Sequence, residues 1–443
     1  VSPDPAARYA GQSVPRYTSY PTAADFSAAV GPAEYRSWLS ALPLGEAVSI
    51  YLHVPYCRQL CHYCGCHAKV ARRDHVIETY RRHLVAEIGL VADALPGRIP
   101  AARIAWGGGT PSILGPEGLA DVHAALAQAF DFGALVEHAI ELDPRQVTPL
   151  LCDGLARMGV NRASLGVQDT HPAVQEAIGR LQPMETVATA VSMLRGVGIS
   201  RINMDLIYGL PGQSVESLDA TCQAVAALSP DRIACYGYAH LPERRANQRL
   251  IDAARLPGPA ERLKLHDTVS ARLAHFGYVP IGIDHFARFC DPLAKAARSG
   301  RLHRNFQGYT DDDRPTLIGL GASAISQLPG GFAQSEPEIG AYGRSIAGGT
   351  LATRRGHALG LDDRRRAAII EALMCNFRAD LGSLASGFAD EMALLRPFVL
   401  DGLVEIADGV IAVTRAGRPF VRLVSAVFDR FRLEATRRFS GAV

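Results

Sequence analysis

Four of the chain's nine cysteines fall within residues 51–70, which read YLHVPYCRQLCHYCGCHAKV. Cys57, Cys61 and Cys64 stand at C-x3-C-x2-C spacing, with Cys66 two residues further on. Thiolates this close together suit a soft metal, either an iron–sulfur cluster or zinc. Three cysteines on one loop, without an equally good fourth, would leave one iron of a four-iron cluster open to a non-protein ligand. A zinc knuckle is the main alternative. A dithiol redox pair at Cys61 and Cys64 is disfavoured by the neighbouring thiols. A disulfide framework is disfavoured by chain length and by the scarcity of cysteine elsewhere.

Something must aim those thiols. Val48–Val54, rich in β-branched and aromatic residues, reads as a strand running straight into the cysteine loop. From Asp74, a helix cap, Ile77, Tyr80, Leu84, Ile88 and Val91 recur on one helical face. Strands are then expected at 103–106, 138–142, 162–167, 202–208 and 232–238, separated by helical stretches that include 117–130 and 148–158. In the helix before Pro230, Leu218, Cys222 and Val225 share a face. About six strand–helix alternations imply parallel strands with right-handed crossovers, in an α/β fold closer to an open partial (β/α)6 barrel than to a closed eight-fold one. The site of such a fold lies at the C-terminal strand ends. An N-terminal arm (1–45), a catalytic domain (46–330), a linker (331–362) and a smaller, mostly helical C-terminal lid (363–443) complete the expected organisation. The lid carries a β-hairpin at Asp408-Gly409. The arm contains PRYTSYPTA (15–23), without helical or strand periodicity.

Several further residues sit where that architecture puts chemistry. The run Gly107-Gly108-Gly109-Thr110 follows a strand directly, where missing Cβ atoms let backbone approach a ligand. Glu141 ends a strand; its carboxylate suits a ribose hydroxyl or an ammonium, or simply a cap. Gln168 and Asp169 end another. Asp205 lies within the apolar strand INMDLIYG, where a charge needs a partner. Tyr51 and Tyr63 suit the core or stacking better than ligation.

Composition narrows the class. At 443 residues, 48% hydrophobic and 20% charged, the chain can bury a large core. Its net charge of +2 gives no electrostatic footprint for nucleic acid or a membrane surface. The lid has a helix-plus-wing pattern, but basic residues are not gathered on one helix, so DNA binding is not expected. No uninterrupted apolar run reaches about 18 residues, and the first residues lack signal-peptide character. The scattered remaining cysteines suit a reducing cytoplasm.

The cysteine spacing is similar to that of the radical S-adenosylmethionine (SAM) superfamily. The series YTSYPTA, YLHVPYC, CHYCGC, WGGGTP, ELDPR, GVQD, DLIYGLP, YAHLP, DHFAR, HRNFQGYT and GASAIS, spanning about 15–326, resembles the oxygen-independent coproporphyrinogen III oxidase family. That resemblance implies a [4Fe–4S] cluster on Cys57, Cys61 and Cys64, with Cys66 outside the ligand set, and two SAM molecules. By motif, Tyr51, Gly108 and Glu141 would contact the first SAM. Tyr63, Gly109, Thr110, Gln168, Arg180, Asp205, Ala239, Gln307 and Ile325 would line the rest of the two sites. Tyr63 stands where relatives can carry Phe. The implied reaction converts two propionates of a porphyrinogen to vinyl groups in haem biosynthesis. A deoxyadenosyl radical first removes a propionate β-hydrogen, and CO2 and an electron then leave. The resemblance implies a monomer with an electron donor it does not name. Four substrate propionates call for cationic residues, and Arg16 beside the tyrosine-rich arm is a candidate. The competing readings are a haem-binding chaperone on the same scaffold and a zinc-stabilised protein without catalysis.

Overall fold

Val48–Val54 (β1) is buried at every position, as a parallel strand covered on both faces requires. The computed structural model describes residues 8–432 and Gly441. In it β1 lies inside a 12-stranded sheet. The other strands are β2 (Ala101–Gly108), β3 (Glu137–Leu142), β4 (Arg162–Gln168), β5 (Arg201–Tyr208), β6 (Arg232–Gly237), β7 (Tyr278–Ile281), β8 (His285–Arg288), β9 (Leu317–Leu320), β10 (Ile325–Leu328), β11 (Gly331–Ser335) and β12 (Thr353–Ala358). Their order is β12-β11-β10-β9-β1-β2-β3-β4-β5-β6-β8-β7. The run from β1 to β6 is parallel, joined by helical crossovers. This is the open α/β barrel that the alternation implies.

Two features depart from expectation. A seventh parallel strand, β9, pairs with β1 through Ser49↔Leu317 to Leu52↔Leu320. It returns from far along the chain without a crossover helix beside it, so alternation does not announce it. The segment expected as a linker, 331–362, is no linker. It supplies β11 and β12, antiparallel to one another, and the helix Ile339–Ala347 between them. Short strands extending an edge carry too little periodicity to be read alone.

The helices follow their sequence signals. Asp74–Ala92 buries Ile77, Tyr80, Leu84, Ile88 and Val91, and also Glu87. Pro149–Arg157 starts where the Thr148 side chain accepts the Leu151 N–H at 3.3 Å. The arm is not wholly extended: Pro32–Ser40 is helical, entered at Gly31, whose N–H donates to Glu34. Farther upstream, Tyr9, Val14, Tyr17 and Tyr20 join one apolar core with Leu373, Met374, Val421 and Phe428 of the C-terminal unit. That unit has the helix Leu361–Asn376 and a three-stranded sheet of Arg378–Asp380, Val404–Ala407 and Val410–Val413. The hairpin turns at Asp408-Gly409, both with positive φ (50° and 77°), as a two-residue turn of this type needs. Among the described residues no helix is long and apolar enough to cross a membrane.

Candidate active site

A cavity of about 910 Å³ runs through the barrel, from the cysteine loop at the C-terminal strand ends to the first residues of β3, β4 and β6. Its wall includes Cys57, Cys61, Cys64 and Cys66, together with Arg16, Tyr63, Gly108, Gly109, Thr110, Glu141, Gln168, Arg180, Asp205, Ala239 and Gln307. Tyr51 and Ile325 are not in that wall. Tyr51 is buried, with its hydroxyl 3.1 Å from His53 Nδ1 and its ring edge-on to Phe306. Ile325 opens β10 and pairs with Gln334.

The thiols are set by neighbours. The Thr110 hydroxyl donates to Cys57 Sγ at 3.3 Å, and Arg180 Nη1 reaches Cys61 Sγ at 3.5 Å. Arg180 is held in turn by Asp143 at 3.3 Å and by the Gly166 carbonyl at 2.7 Å. Burial pushes the Cys57 thiol up to about 11. A hydrogen bond with Cys66 draws the Cys64 thiol down to about 7. The guanidinium beside the loop places positive charge where thiolates and an anionic cluster would be stabilised.

The triple glycine works differently from its sequence reading. At Gly108 (φ 113°) a Cβ would fall 2.7 Å from the His53 ring, and at Gly109 one would fall 2.5 Å from the Tyr56 carbonyl oxygen. The missing side chains make room for the chain's own groups. The Gly109 and Thr110 N–H groups bond back to Val54 and Tyr56 carbonyls, both at 2.8 Å, stitching this loop to the cysteine strand.

Two carboxylates face the cavity with little to neutralise them. Glu141 accepts the Gly108 N–H at 3.2 Å. Burial first, then repulsion from Asp205, pushes its carboxyl up to about 7. Asp205 accepts the Ser164 hydroxyl at 3.1 Å, and burial pushes it up to about 6. Asp169, by contrast, is fully engaged by Gln213 and the His171 N–H, both at 2.6 Å, and serves the fold. Gln168 has φ 70° at a register shift between β4 and β5. A non-glycine residue there costs about 1–3 kcal/mol, and the bulge turns its side chain into the cavity wall.

Sequence reasoning missed Asp143, Tyr236, Arg244 and Arg245 in the wall, and Glu137, Arg162 and Arg232 at its floor. It also missed Gln248 in the wall and Asn247 against the cysteine loop. The floor had a signal: three expected strands each begin with arginine, at 103, 162 and 232. The others carried none.

Residues 51–225 match the model of the radical SAM superfamily. The chain is 47% identical over 437 residues to an oxygen-independent coproporphyrinogen III oxidase of Bradyrhizobium diazoefficiens, covering 96% of each chain. It is 40% identical to that of Escherichia coli, over 96% of this chain and 94% of the other. The chain belongs to the oxygen-independent coproporphyrinogen III oxidase family. The solved coproporphyrinogen III oxidase of Escherichia coli, described as a radical SAM enzyme, superimposes with a TM-score of 0.89. That match has 38% identity and covers 95% of this chain and all of that one.

For this family the residues present fit a [4Fe–4S] cluster and SAM. Three thiols line one end of the cavity beside a cation, next to buried carboxylates suited to an amino group or hydroxyls.

Proposed function

We propose that the chain carries out oxygen-independent oxidative decarboxylation of two propionates of coproporphyrinogen III, giving protoporphyrinogen IX. One observation carries this reading: a single cavity joins the cysteine loop, the underneutralised Glu141 and Asp205, and the arginine of the N-terminal arm. With a cluster and SAM bound, the site is supplied with a 5′-deoxyadenosyl radical able to take a propionate β-hydrogen. The chain's own residues do the rest. Cys57, Cys61 and Cys64 would hold the cluster. Glu141 and Asp205 would accept hydrogen bonds from SAM, and Gln168, Arg180, Ala239, Gln307 and Tyr63 would shape room for two SAM molecules. Arg16 would pair with a substrate carboxylate, and the described parts of the arm and of the C-terminal unit would cover the catalytic barrel, excluding water and oxygen. The same reading has it working as a monomer with an electron donor in a reducing cytoplasm.

The test is an anaerobic assay of reconstituted protein with coproporphyrinogen III, SAM and a reductant, following 5′-deoxyadenosine and the vinyl product. Both products are expected, and Cys61→Ser abolishes both. Deoxyadenosine without decarboxylation would sink the substrate assignment and put the haem-chaperone reading ahead.

A further inference from the structure

Backbone carbonyls in an irregular loop must find donors, and those of the cysteine loop find them in one place. The Asn247 side-chain amide nitrogen lies 3.1 Å from the Cys61 carbonyl, 3.1 Å from that of His62 and 2.9 Å from that of Cys64. Gln248 takes the remaining one. Its amide nitrogen donates to the Tyr63 carbonyl at 2.8 Å and to the Ala239 carbonyl at 3.1 Å, and its oxygen accepts the Leu241 N–H at 2.6 Å. Two adjacent amides therefore engage four consecutive carbonyls, two of them belonging to thiol-bearing residues. The orientation of Asn247 follows from its surroundings, because an oxygen turned the other way would face three carbonyl oxygens.

This contact spans the barrel. The cysteine loop follows β1, whereas Asn247 and Gln248 lie in the short helical turn Ala246–Leu250 that follows β6, with β2 to β5 between them in the sheet. The pair thus joins the first and last strands of the β1–β6 run across the cavity's mouth. The loop's other backbone bonds are the His62 N–H to Ile178 at 2.9 Å, the turn from Cys64 to Cys61 at 3.2 Å, and the Ala68 and Ala71 N–H groups to the Cys66 and Cys57 carbonyls, both at 3.0 Å. Between Cys61 and Cys64 the carbonyls themselves are met by the two amides.

We infer that Asn247 and Gln248 are positioning residues: a two-amide clamp that sets the cysteine loop in the shape that receives and keeps the cluster. The inference rests on the [4Fe–4S] assignment of Cys57, Cys61 and Cys64. Neither side chain is among the assigned cluster ligands. Each acts by fixing the backbone that carries the thiols, as outer-shell partners of metal ligands do.

Asn247→Asp replaces the donor with an acceptor aimed at three carbonyls, and Asn247→Ala removes the amide without adding charge. The full-length chain and both variants are reconstituted anaerobically with iron and sulfide. Iron loss to a ferrous chelator is then timed, and the melting of each iron-free protein is recorded. The expected result is iron loss about 10–100-fold faster in both variants, the range outer-shell partners command, with iron-free melting at the wild-type temperature. Should Asn247→Asp not fold, Asn247→Ala decides alone. Iron loss at the wild-type rate overturns the clamp, and so does faster loss accompanied by a matching fall in iron-free melting, which would mark an ordinary structural contact. A wild-type chain that takes up no iron overturns the cluster assignment itself, so the two failures are distinguishable.

Discussion

Glu137 and Glu141 lie on the same strand, four residues apart and so on the same face, and both line the cavity. Their surroundings drive them in opposite directions. Glu137, at the floor, meets Arg162 at 2.8 Å and Arg103 at 3.2 Å. Burial would raise its carboxyl, but the three arginines at 162, 232 and 103 hold it below its usual range. Arg232 continues the floor network to Asp291 at 2.8 Å and Asp311 at 3.0 Å, and Arg103 meets Asp311 at 2.7 Å. Glu141, near the mouth, has one backbone N–H and a neighbouring acid, and is pushed up to about 7. Equal burial therefore gives opposite outcomes. At the floor the protein completes its own charges and closes the barrel; at the mouth it leaves charge incomplete, which is the state a ligand can complete.

The sharpest way to break this contrast is at the floor. Arg232→Met keeps most of the side chain's bulk but leaves Asp291 and Asp311 each short of a cation. Removing one partner of a buried ion pair costs about 3–5 kcal/mol, so the midpoint of denaturant unfolding should fall strongly. Folded protein should still take up iron and SAM. A loss below about 1 kcal/mol, the range of exposed pairs, would show that the floor is solvated and that the comparison fails.

At the mouth the signs reverse. Glu141 titrates in the folded chain near 7, against an ordinary value of 4.5. Between those values the folded chain holds a proton that the unfolded chain has released, so stability is lost as pH rises through that window. Glu141→Gln, uncharged throughout, should flatten that dependence in the iron-free protein and leave it no less stable at pH 8. SAM binding should weaken about tenfold or more, the loss of a hydrogen bond to a charged group, as read by calorimetry on reconstituted protein. A variant that binds SAM normally would remove Glu141 from the ligand site.

Residue order alone conveyed the β1–β6 run and the helix faces, because those rest on local periodicity and on turn residues such as Asp408-Gly409. The cysteine loop was legible for a similar reason: its four thiols are close in sequence. What stayed hidden depends on long-range contact. β9 meets β1 across more than half the chain, and β11 and β12 are recognisable only as continuations of an edge already built. Gly108 and Gly109 were legible as glycines following a strand, but the contacts that leave no room for a Cβ there come from His53 and Tyr56, more than fifty positions away in sequence. Asn247 and Gln248 read as unremarkable polar residues because the carbonyls they hold are nearly two hundred positions away.

Arg16 offers the finest test, since it sets a cation at the mouth against those at the floor. Arg103, Arg162 and Arg232 each meet carboxylates within ion-pair distance. Arg16 donates instead to the Gly237 carbonyl at 2.8 Å and lies over the Tyr236 ring, 5.9 Å from its centroid. Its own backbone carbonyl is held by Arg304 at 3.2 Å, which fixes the arm while leaving the guanidinium at the cavity wall. Such a group is oriented by the protein yet retains capacity for a carboxylate. Arg16→Ala should raise the substrate KM about tenfold, the loss of one charge-assisted contact, with kcat and the cluster absorbance unchanged. Arg16→Lys should recover part of that, because it restores charge without the two-pronged geometry. An unaltered KM in Arg16→Ala would mean that the guanidinium only anchors the arm to β6, placing it with the floor arginines as architecture.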